Sequence, residues 1–300
     1  MNQPFQMTRR SFLQLAAAAP FAAVAANNEL FAPPLAVFSK VYQEVKLSFE
    51  QSAEVTAAAG LDGIDCPVRA GGEILPEHAA DEMPRYDEVL RQHKMKMLLI
   101  TTGITGVASP NAESILRTAK KLGISFYRTG FWTHKAGESQ DALMKLIKTQ
   151  LKELSALNRD IGVCGIFQNH SAGKNAANRQ AGGDLVEMRE IMADLNPEQM
   201  GIAFDAGHAL ITHGDEWPKH FEALKPWIKV AYVKDAKRGK GFVPFGQGDV
   251  NWPQYFGQLR QMNYRAPLSV HVEFDWAPKD RDTLVRTLTD CRRAVGAWLK

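Results

Sequence analysis

The sequence has few cysteines and no large excess of one charge, and both shortages narrow the possible functions. Its 300 residues include only three cysteines, Cys66, Cys164 and Cys291, which are widely separated. This number and spacing disfavour a disulfide framework and a zinc site built from cysteine pairs. Lysine and arginine together number 36 against 33 acidic residues, and this balance argues against a nucleic acid partner.

Several motifs that carry well-known chemistry are also missing. The sequence has no Gly-x-Gly-x-x-Gly after its first strand-like segment and no phosphate-binding Gly-x-x-x-x-Gly-Lys-Ser/Thr. Gly-x-Ser-x-Gly and His-Glu-x-x-His are absent as well. No apolar run reaches the roughly 20 residues that cross a membrane. These absences disfavour dinucleotide enzymes, P-loop proteins, serine hydrolases of the α/β type and zinc proteases.

The N-terminus has the parts of a bacterial export signal. The pair Arg9-Arg10 precedes a short alanine-rich apolar segment that ends in an Ala-x-Ala sequence at residues 23–25. This order is typical of a twin-arginine (Tat) signal peptide. We therefore expect residues 1–25 to be removed, residues 26–300 to form one mature domain, and the mature protein to be periplasmic or otherwise exported.

Strand-like and helix-like segments alternate eight times along the remaining chain. Ser48 and Gln51 form a capping box that predicts a helix start, and Gly60 predicts the end of that helix. Eight such pairs in about 250 residues favour a closed (β/α)8 TIM barrel over the alternative, a doubly wound open sheet. The predicted strands are Leu35–Ser39, Gly63–Pro67, Met97–Thr102, Ser125–Gly130, Gly162–Gln168, Gly201–Asp205, Lys229–Lys234 and Leu268–Glu273.

Polar side chains occupy the ends of predicted strands five to eight. Chemistry in a TIM barrel lies at the carboxyl ends of its strands, on side chains that point inward. Alternation along each strand predicts that Gln168, Asp205, Tyr232 and Glu273 point inward and form one arc at the barrel mouth. Two carboxylates in that arc repel each other unless a cation or a shared proton neutralises them.

Four segments make the whole mature chain resemble the xylose isomerase-like, or sugar phosphate isomerase/epimerase, family of TIM barrels. They are Phe204–His208, Val233–Asp235, Gly246–Trp252 and His271–Glu273. The resemblance implies a divalent metal such as Mn, Mg, Co or Zn, held by Glu, Asp, His and Glu on strands five to eight. It also implies a carbohydrate substrate and proton transfer by the two glutamates.

This sequence departs from that pattern at two of the four metal positions. Asp205 and Glu273 are kept, whereas Gln168 stands in place of the first glutamate and Tyr232 in place of the histidine. A glutamine oxygen can coordinate a metal, but an amide is not a base near neutral pH. We expect Asp205, Glu273 and Gln168 as metal ligands if a metal binds. The alternatives are a site rebuilt with His170 or His271, a weak site, or a lost one.

The expected catalytic residues are Glu273 as the base and His208 as a partner of a substrate hydroxyl. A simpler interpretation makes Asp205 the cap of the next helix and His208 a donor to a carbonyl. Lys234 is a base, a Schiff-base amine or a salt-bridge partner of Asp235 or Glu273, and Arg238 is either a sugar contact or a solvated loop charge. The expected substrate-binding residues are Arg69, Arg128, His170, Arg238 and Lys234.

The leading functional hypothesis is an exported carbohydrate enzyme of the isomerase or epimerase type. Such an enzyme removes a proton next to a sugar carbonyl, with or without help from a metal, and a keto-sugar lyase is a variant of the same chemistry. The alternative is a periplasmic sugar-binding protein on a barrel that has lost catalysis. A metal-dependent DNA-repair nuclease on the same barrel is disfavoured by the charge balance and the export signal. A small carbohydrate, and no nucleic acid or membrane, is therefore the expected partner.

Overall fold

A computed structural model describes Met1, residues 31–171 and residues 179–300 of the chain. The twin arginine and the cleavage site expected at residues 23–25 lie outside the described residues. Phe31–Lys300 form one compact unit. Among the described residues, no helix has the length and apolar character needed to cross a lipid bilayer.

Eight parallel strands close into a barrel, which confirms the predicted TIM-barrel fold. The first strand, β1, pairs with β2 on one side and with the last strand, β10, on the other, so the sheet has no free edge. A small hairpin, formed by β8 (Ala236–Lys237) and β9 (Gly241–Phe242), lies outside the barrel sheet. The barrel strands are β1 Leu35–Phe38, β2 Gly63–Val68, β3 Lys96–Thr102, β4 Phe126–Arg128, β5 Cys164–Gln168, β6 Met200–Asp205, β7 Ile228–Val233 and β10 Leu268–Val270.

Helices connect successive barrel strands. The predicted capping box is present, because the Ser48 side chain accepts from the Gln51 backbone while the Gln51 side chain accepts from the Ser48 backbone. Asn251 caps a later helix in a similar way. The helices are α1 Lys40–Gln43, α2 Phe49–Ala58, α3 Ala79–Gln92, α4 Ala112–Lys121, α5 Gln140–Ile161, α6 Leu185–Met192, α7 Ala206–His213, α8 Trp217–Leu224, α9 Trp252–Gln261 and α10 Arg281–Trp298.

Side chains alternate between the inside of the barrel and the helical layer, and β6 shows this directly. Phe204 points outward and packs against Phe221 and Tyr255, with ring centroids 4.9 and 6.1 Å away. Its neighbour Asp205 points inward and is fully buried. Apolar burial of this kind stabilises the shell by about 2 kcal/mol for each large side chain. The helical layer therefore fixes which polar side chains reach the barrel mouth.

Two predicted strands have only half of their expected length. The strand predicted over Ser125–Gly130 covers Phe126–Arg128, and the one predicted over Leu268–Glu273 ends at Val270. One more backbone hydrogen bond follows each strand, since the N–H of Thr129 donates to Ile166 and that of His271 donates to Val233. His271 and Glu273 thus lie in the segment that follows β10, and they face the mouth from there.

Candidate active site

A cavity of about 260 Å³, here called the mouth pocket, lies at the carboxyl ends of the barrel strands. Its lining residues end a barrel strand or follow one, as Arg128 does on β4 and Gln168 on β5. Most of them carry a charge or a hydrogen-bonding group. The lining residues are Phe38, Lys40, Arg69, Arg128, Phe131, Gln168, His170, Gln180, Lys234, His271 and Glu273.

Lys234, just after β7, lies between the two carboxylates. Its Nζ atom is 3.0 Å from Oε2 of Glu273 and 3.4 Å from Oδ2 of Asp205. The lysine side chain is only 2% exposed. Burial opposes its charge, but the two carboxylates outweigh burial and raise the pKa of Lys234 above its usual value. The ammonium group thus compensates one of the two negative charges of the acidic pair that the sequence placed at the mouth.

Asp205 contacts Lys234 from the side of the barrel interior. Its Oδ1 atom accepts the backbone N–H of His208 at 3.0 Å and so caps α7, while Oδ2 accepts from Nε2 of Gln168 at 3.0 Å. Burial acts to raise the pKa of Asp205, yet Lys234 and the nearby histidines lower it to about 2. The helix cap, which was the simpler interpretation of Asp205, is present, and the same carboxylate also lies beside the ammonium group of Lys234.

Glu273 is the carboxylate that the pocket exposes. Its side chain is 28% exposed, whereas that of Asp205 is fully buried. Desolvation acts to raise the pKa of Glu273, but Lys234 and His271 lower it well below the usual value. Glu273 is therefore ionised at neutral pH, and it is the carboxylate that a bound molecule can reach.

His271 is connected to the buried interior through a serine. Thr101 and Ser269 each donate a hydrogen bond of 2.9 Å to the fully buried Asp65. Because the Ser269 hydroxyl donates to Asp65, its oxygen accepts from Nε2 of His271 at 3.2 Å. The other ring nitrogen, Nδ1, has no hydrogen-bond partner among the described residues and lies 3.7 Å from Oε1 of Glu273.

Two of the expected sugar-binding residues line one wall of the pocket. Arg128 is 4% exposed, donates to Oε1 of Gln168 at 3.3 Å, and lies 4.4 Å from the centre of the Phe131 ring. Burial lowers the pKa of Arg128, which still remains a cation near neutral pH. Arg69 follows β2 and lines the same pocket, and its Nε atom has no hydrogen-bond partner among the described residues.

Two histidines near the mouth pocket, His170 and His208, pack against each other. The rings of His170 and His208 are 3.8 Å apart, and His170 is the one that lines the pocket. His208 is 1% exposed and lies behind Lys234, with Nε2 at 3.1 Å from Nζ. Because an ammonium group can only donate, Nε2 of His208 accepts from Lys234, and the ring hydrogen is on Nδ1, 2.8 Å from Oγ of Ser171. His208 thus contacts Lys234 from the buried side, away from the pocket.

Two sequence-predicted positions lie away from the pocket. The Arg238 side chain, on the hairpin between β8 and β9, is 50% exposed and donates to Asp215 at 2.7 Å. The structure thus gives Arg238 the solvated loop role that was its alternative. Tyr232 is fully buried one layer below the mouth, where its ring packs against His271 at 4.4 Å. Tyr232 therefore helps position His271 without lining the pocket.

The donor set does not fit a divalent metal ion. Within residues 31–171 and 179–300, no group of three or more His, Cys, Asp and Glu side chains could hold one. Gln168 turns its NH2 group toward Asp205 and its oxygen toward Arg128, so the oxygen is already used. Burial raises the pKa of Tyr232 well above its usual value, which leaves a neutral phenol where the resemblance drawn from the sequence implies a histidine.

Asp235 explains why the Gly246–Trp252 motif accompanies this site. Its carboxylate accepts the backbone N–H groups of Gly246 and Gly248 at 2.7 and 3.0 Å. A Cβ atom on Gly248 would lie 2.0 Å from Oδ1 of Asp235, so only glycine fits at that position. The loop is thereby fixed against the segment that carries Lys234.

Solved structures with the same architecture include several carbohydrate enzymes. D-psicose 3-epimerase from Clostridium cellulolyticum H10, solved with D-tagatose, is 12% identical with a TM-score of 0.68 over 89% of this chain and 99% of that one. The 3-keto-D-glucoside 4-epimerase YcjR from E. coli is 14% identical, with a TM-score of 0.64 over 85% and 99%. The IolI protein, solved with a zinc atom, is 16% identical, with a TM-score of 0.69 over 89% and 98%. At these identities the similarity establishes the fold alone.

No curated protein matches this sequence. The family model described as "Xylose isomerase-like TIM barrel" matches residues 53–293, which cover most of the barrel. The matched region includes Asp205, Lys234 and Glu273 and all but the first of the barrel strands. The chain therefore belongs to the xylose isomerase-like TIM barrel family.

Proposed function

We propose that the mature protein is an exported carbohydrate isomerase or epimerase that moves a proton next to a sugar carbonyl. The observation that carries the proposal is the arrangement of Glu273, Lys234 and Arg128 around one small polar pocket. An ionised carboxylate beside two fixed cations is suited to removing a proton from carbon while the negative charge collects on an adjacent oxygen. The match to the family and the epimerases of the same fold support this class of reaction.

The proposed reaction uses groups that line the pocket. A sugar carbonyl oxygen binds to Lys234 and Arg128, which draws Lys234 away from Glu273 and makes that carboxylate a stronger base. Glu273 removes the proton from the neighbouring carbon, and the electron pair moves onto the carbonyl oxygen to give an enediolate. Return of the proton to the adjacent carbon, with transfer of the hydroxyl proton to the former carbonyl oxygen, gives the isomer. The epimer forms when a water molecule instead protonates the first carbon from the opposite face and Glu273 passes its proton to solvent.

Glycosides of keto-sugars are a variant substrate that the pocket geometry favours. A second cavity of about 300 Å³ shares Phe38, Lys40 and Glu273 with the mouth pocket and extends toward Lys279. A group attached to the reacting sugar can occupy this cavity while the sugar ring lies near Lys234. In that case the enolate formed by Glu273 can also expel a leaving group from the next carbon, which is the lyase form of the reaction.

The experiment that tests the proposal detects proton exchange without knowledge of the product. Purified mature protein is incubated in D2O with ketoses, aldoses and 3-keto-glycosides, and deuterium next to the carbonyl is followed by NMR. We expect exchange with at least one of these classes and its loss in Glu273→Gln. Exchange at an equal rate in wild type and Glu273→Gln would remove Glu273 from the mechanism.

A sugar-binding protein without catalysis is the second candidate, and Gln168 favours it. An amide replaces the first family glutamate, and its hydrogen bonds to Asp205 and Arg128 leave it no role as a base. This candidate predicts calorimetric binding of a saccharide with no deuterium exchange. The main proposal predicts both binding and exchange, so the two measurements distinguish them.

A further inference from the structure

We propose that the ammonium group of Lys234 is the resident cation of this site, so that the Asp205–Glu273 pair works without a divalent metal ion. The position of the cation follows from the geometry of the described residues, whereas its role in catalysis rests on the proposed function.

The ammonium group of Lys234 lies where a metal ion shared by the two carboxylates would bind. A metal ion shared by Asp205 and Glu273 lies within about 2.0–2.6 Å of an oxygen from each carboxylate. The Lys234 ammonium already lies 3.4 and 3.0 Å from the nearest oxygens of these same residues. The lysine side chain is almost fully buried, and it reaches the gap from the strand end next to Asp205. A metal ion and the ammonium group thus compete for one place.

The charges of the residues around Lys234 also match a single ammonium group. Two carboxylates face one ammonium, and the residue that would add a third negative charge is the neutral Gln168. The amide donates to Asp205 and accepts from Arg128, so it links the anionic and cationic sides of the centre. Replacement of a glutamate by glutamine removes one charge, which matches the change from a divalent metal to a single ammonium.

Tyr232 occupies the position where the resemblance to the family implies a histidine ligand. Its ring is buried against His271 below the mouth. A neutral phenol is a weak ligand for the metals that this fold binds. The space beside it is taken by Lys234, two residues further along the same strand end. A lysine ammonium in place of a metal ion is therefore consistent with all three side chains, Gln168, Tyr232 and Lys234.

Lys234 then has a direct role in the proposed reaction. Its Nζ atom donates to Glu273 at 3.0 Å and to Nε2 of His208 at 3.1 Å, and these two contacts hold the ammonium group at the mouth. The ammonium supplies the positive charge that stabilises an enediolate. Its loss should slow turnover about 100-fold or more, as for removal of one oxyanion donor.

The test measures metal and activity separately. Mature protein that was exported by its own signal is analysed for bound metal by mass spectrometry, and its melting temperature is followed with added Mn²⁺, Zn²⁺, Co²⁺ and Mg²⁺. We expect substoichiometric metal and no shift for wild type. Lys234→Met should gain stabilisation by at least one of these ions, since it leaves two carboxylates uncompensated. Lys229→Met, at the other end of β7, is the matched control and should gain none.

Two results would overturn the proposal. One is stoichiometric metal in the wild type that Asp205→Asn removes, and this readout stands even if Lys234→Met fails to fold. The other is a folded Lys234→Met protein that gains no stabilisation from any ion. Activity separates this proposal from the proposed function. Sugar exchange that a chelator abolishes supports the function and contradicts the ammonium centre, whereas absence of exchange with every sugar contradicts the function and leaves the metal measurement valid.

Discussion

Gln168 donates a hydrogen bond of 3.0 Å from Nε2 to Oδ2 of Asp205. A glutamate at position 168 would place a carboxylate against another carboxylate, and the buried pair would then need a further cation or a proton. The amide removes that need, because it satisfies Asp205 with an N–H group and adds no charge. This one contact relates the unusual sequence at the end of β5 to the presence of Lys234 in the centre.

Gln168→Glu should therefore destabilise the protein in the absence of metal. The new carboxylate repels Asp205 and breaks the hydrogen bond, so we expect the free energy of unfolding to fall by about 1–3 kcal/mol at pH 7. Urea denaturation measures the change. The exposed Gln247→Glu variant introduces the same charge and should have little effect. Equal stability of Gln168→Glu and wild type would mean that the contact with Asp205 contributes nothing.

Glu273→Gln should abolish proton exchange and leave the fold intact. The amide keeps the shape of the side chain but cannot accept a proton from carbon, so the rate should fall by at least about 100-fold. Asp290→Asn changes an exposed carboxylate on α10, outside both cavities, and serves as the control. Deuterium incorporation and near-UV circular dichroism measure activity and fold in the same samples. A parallel loss in both variants would point to a general effect of surface charge.

Acid should weaken the fold through Asp205. Its pKa in the folded protein is lowered to about 2 from the usual 3.8, with burial opposing the shift and Lys234 and the histidines outweighing it. The associated stability, about 2 kcal/mol, is fully present above the usual pKa and is lost as the pH falls from about 4 to about 2. Urea denaturation across that pH range should give a flatter profile for Asp205→Asn. The exposed Asp290→Asn variant should keep the wild-type slope.

The expected export signal lies in a segment that the described residues do not include. If Arg9-Arg10 belong to a Tat signal, the double change to lysine should hold the protein in the cytoplasm. Fractionation of a bacterium that has a Tat system measures this, and Arg117→Lys on the surface of α4 is the control. The N-terminal sequence of the exported protein should begin at Ala26. Periplasmic protein in both variants would contradict the twin-arginine interpretation.

Much of this architecture could be predicted from local sequence patterns, and the reasons differ for the parts that could not. Alternation of inward and outward side chains placed Asp205 at the mouth, because Phe204 must pack on the helices. The same parity makes Lys234 face inward, yet its choice of Asp205 as a second partner depends on the spacing between β6 and β7. Arg238 could not be assigned from its own segment, since Asp215 holds it from a distant one.

The contact between Asp65 and Ser269 was the least predictable feature of the site. These residues are 204 positions apart and meet only because β1, which lies between β2 and β10, closes the barrel. Neither residue belongs to a recognisable motif, and a buried aspartate on a strand has many structural uses. The available signal was the shared parity of Ser269, His271 and Glu273, which places all three on the inner side of the barrel.

Ser269→Ala should reveal whether this contact positions His271. The variant removes the acceptor for Nε2–H, so the imidazole loses the bond that fixes its tautomer and holds Nδ1 near Glu273. We expect kcat to fall about 10-fold with KM nearly unchanged, because the residue does not line the pocket, and Ser269→Thr should restore most of the loss. Nitrogen NMR of the labelled ring reports the tautomer independently of turnover. An unchanged tautomer together with unchanged kcat would show that Ser269 serves only to satisfy Asp65.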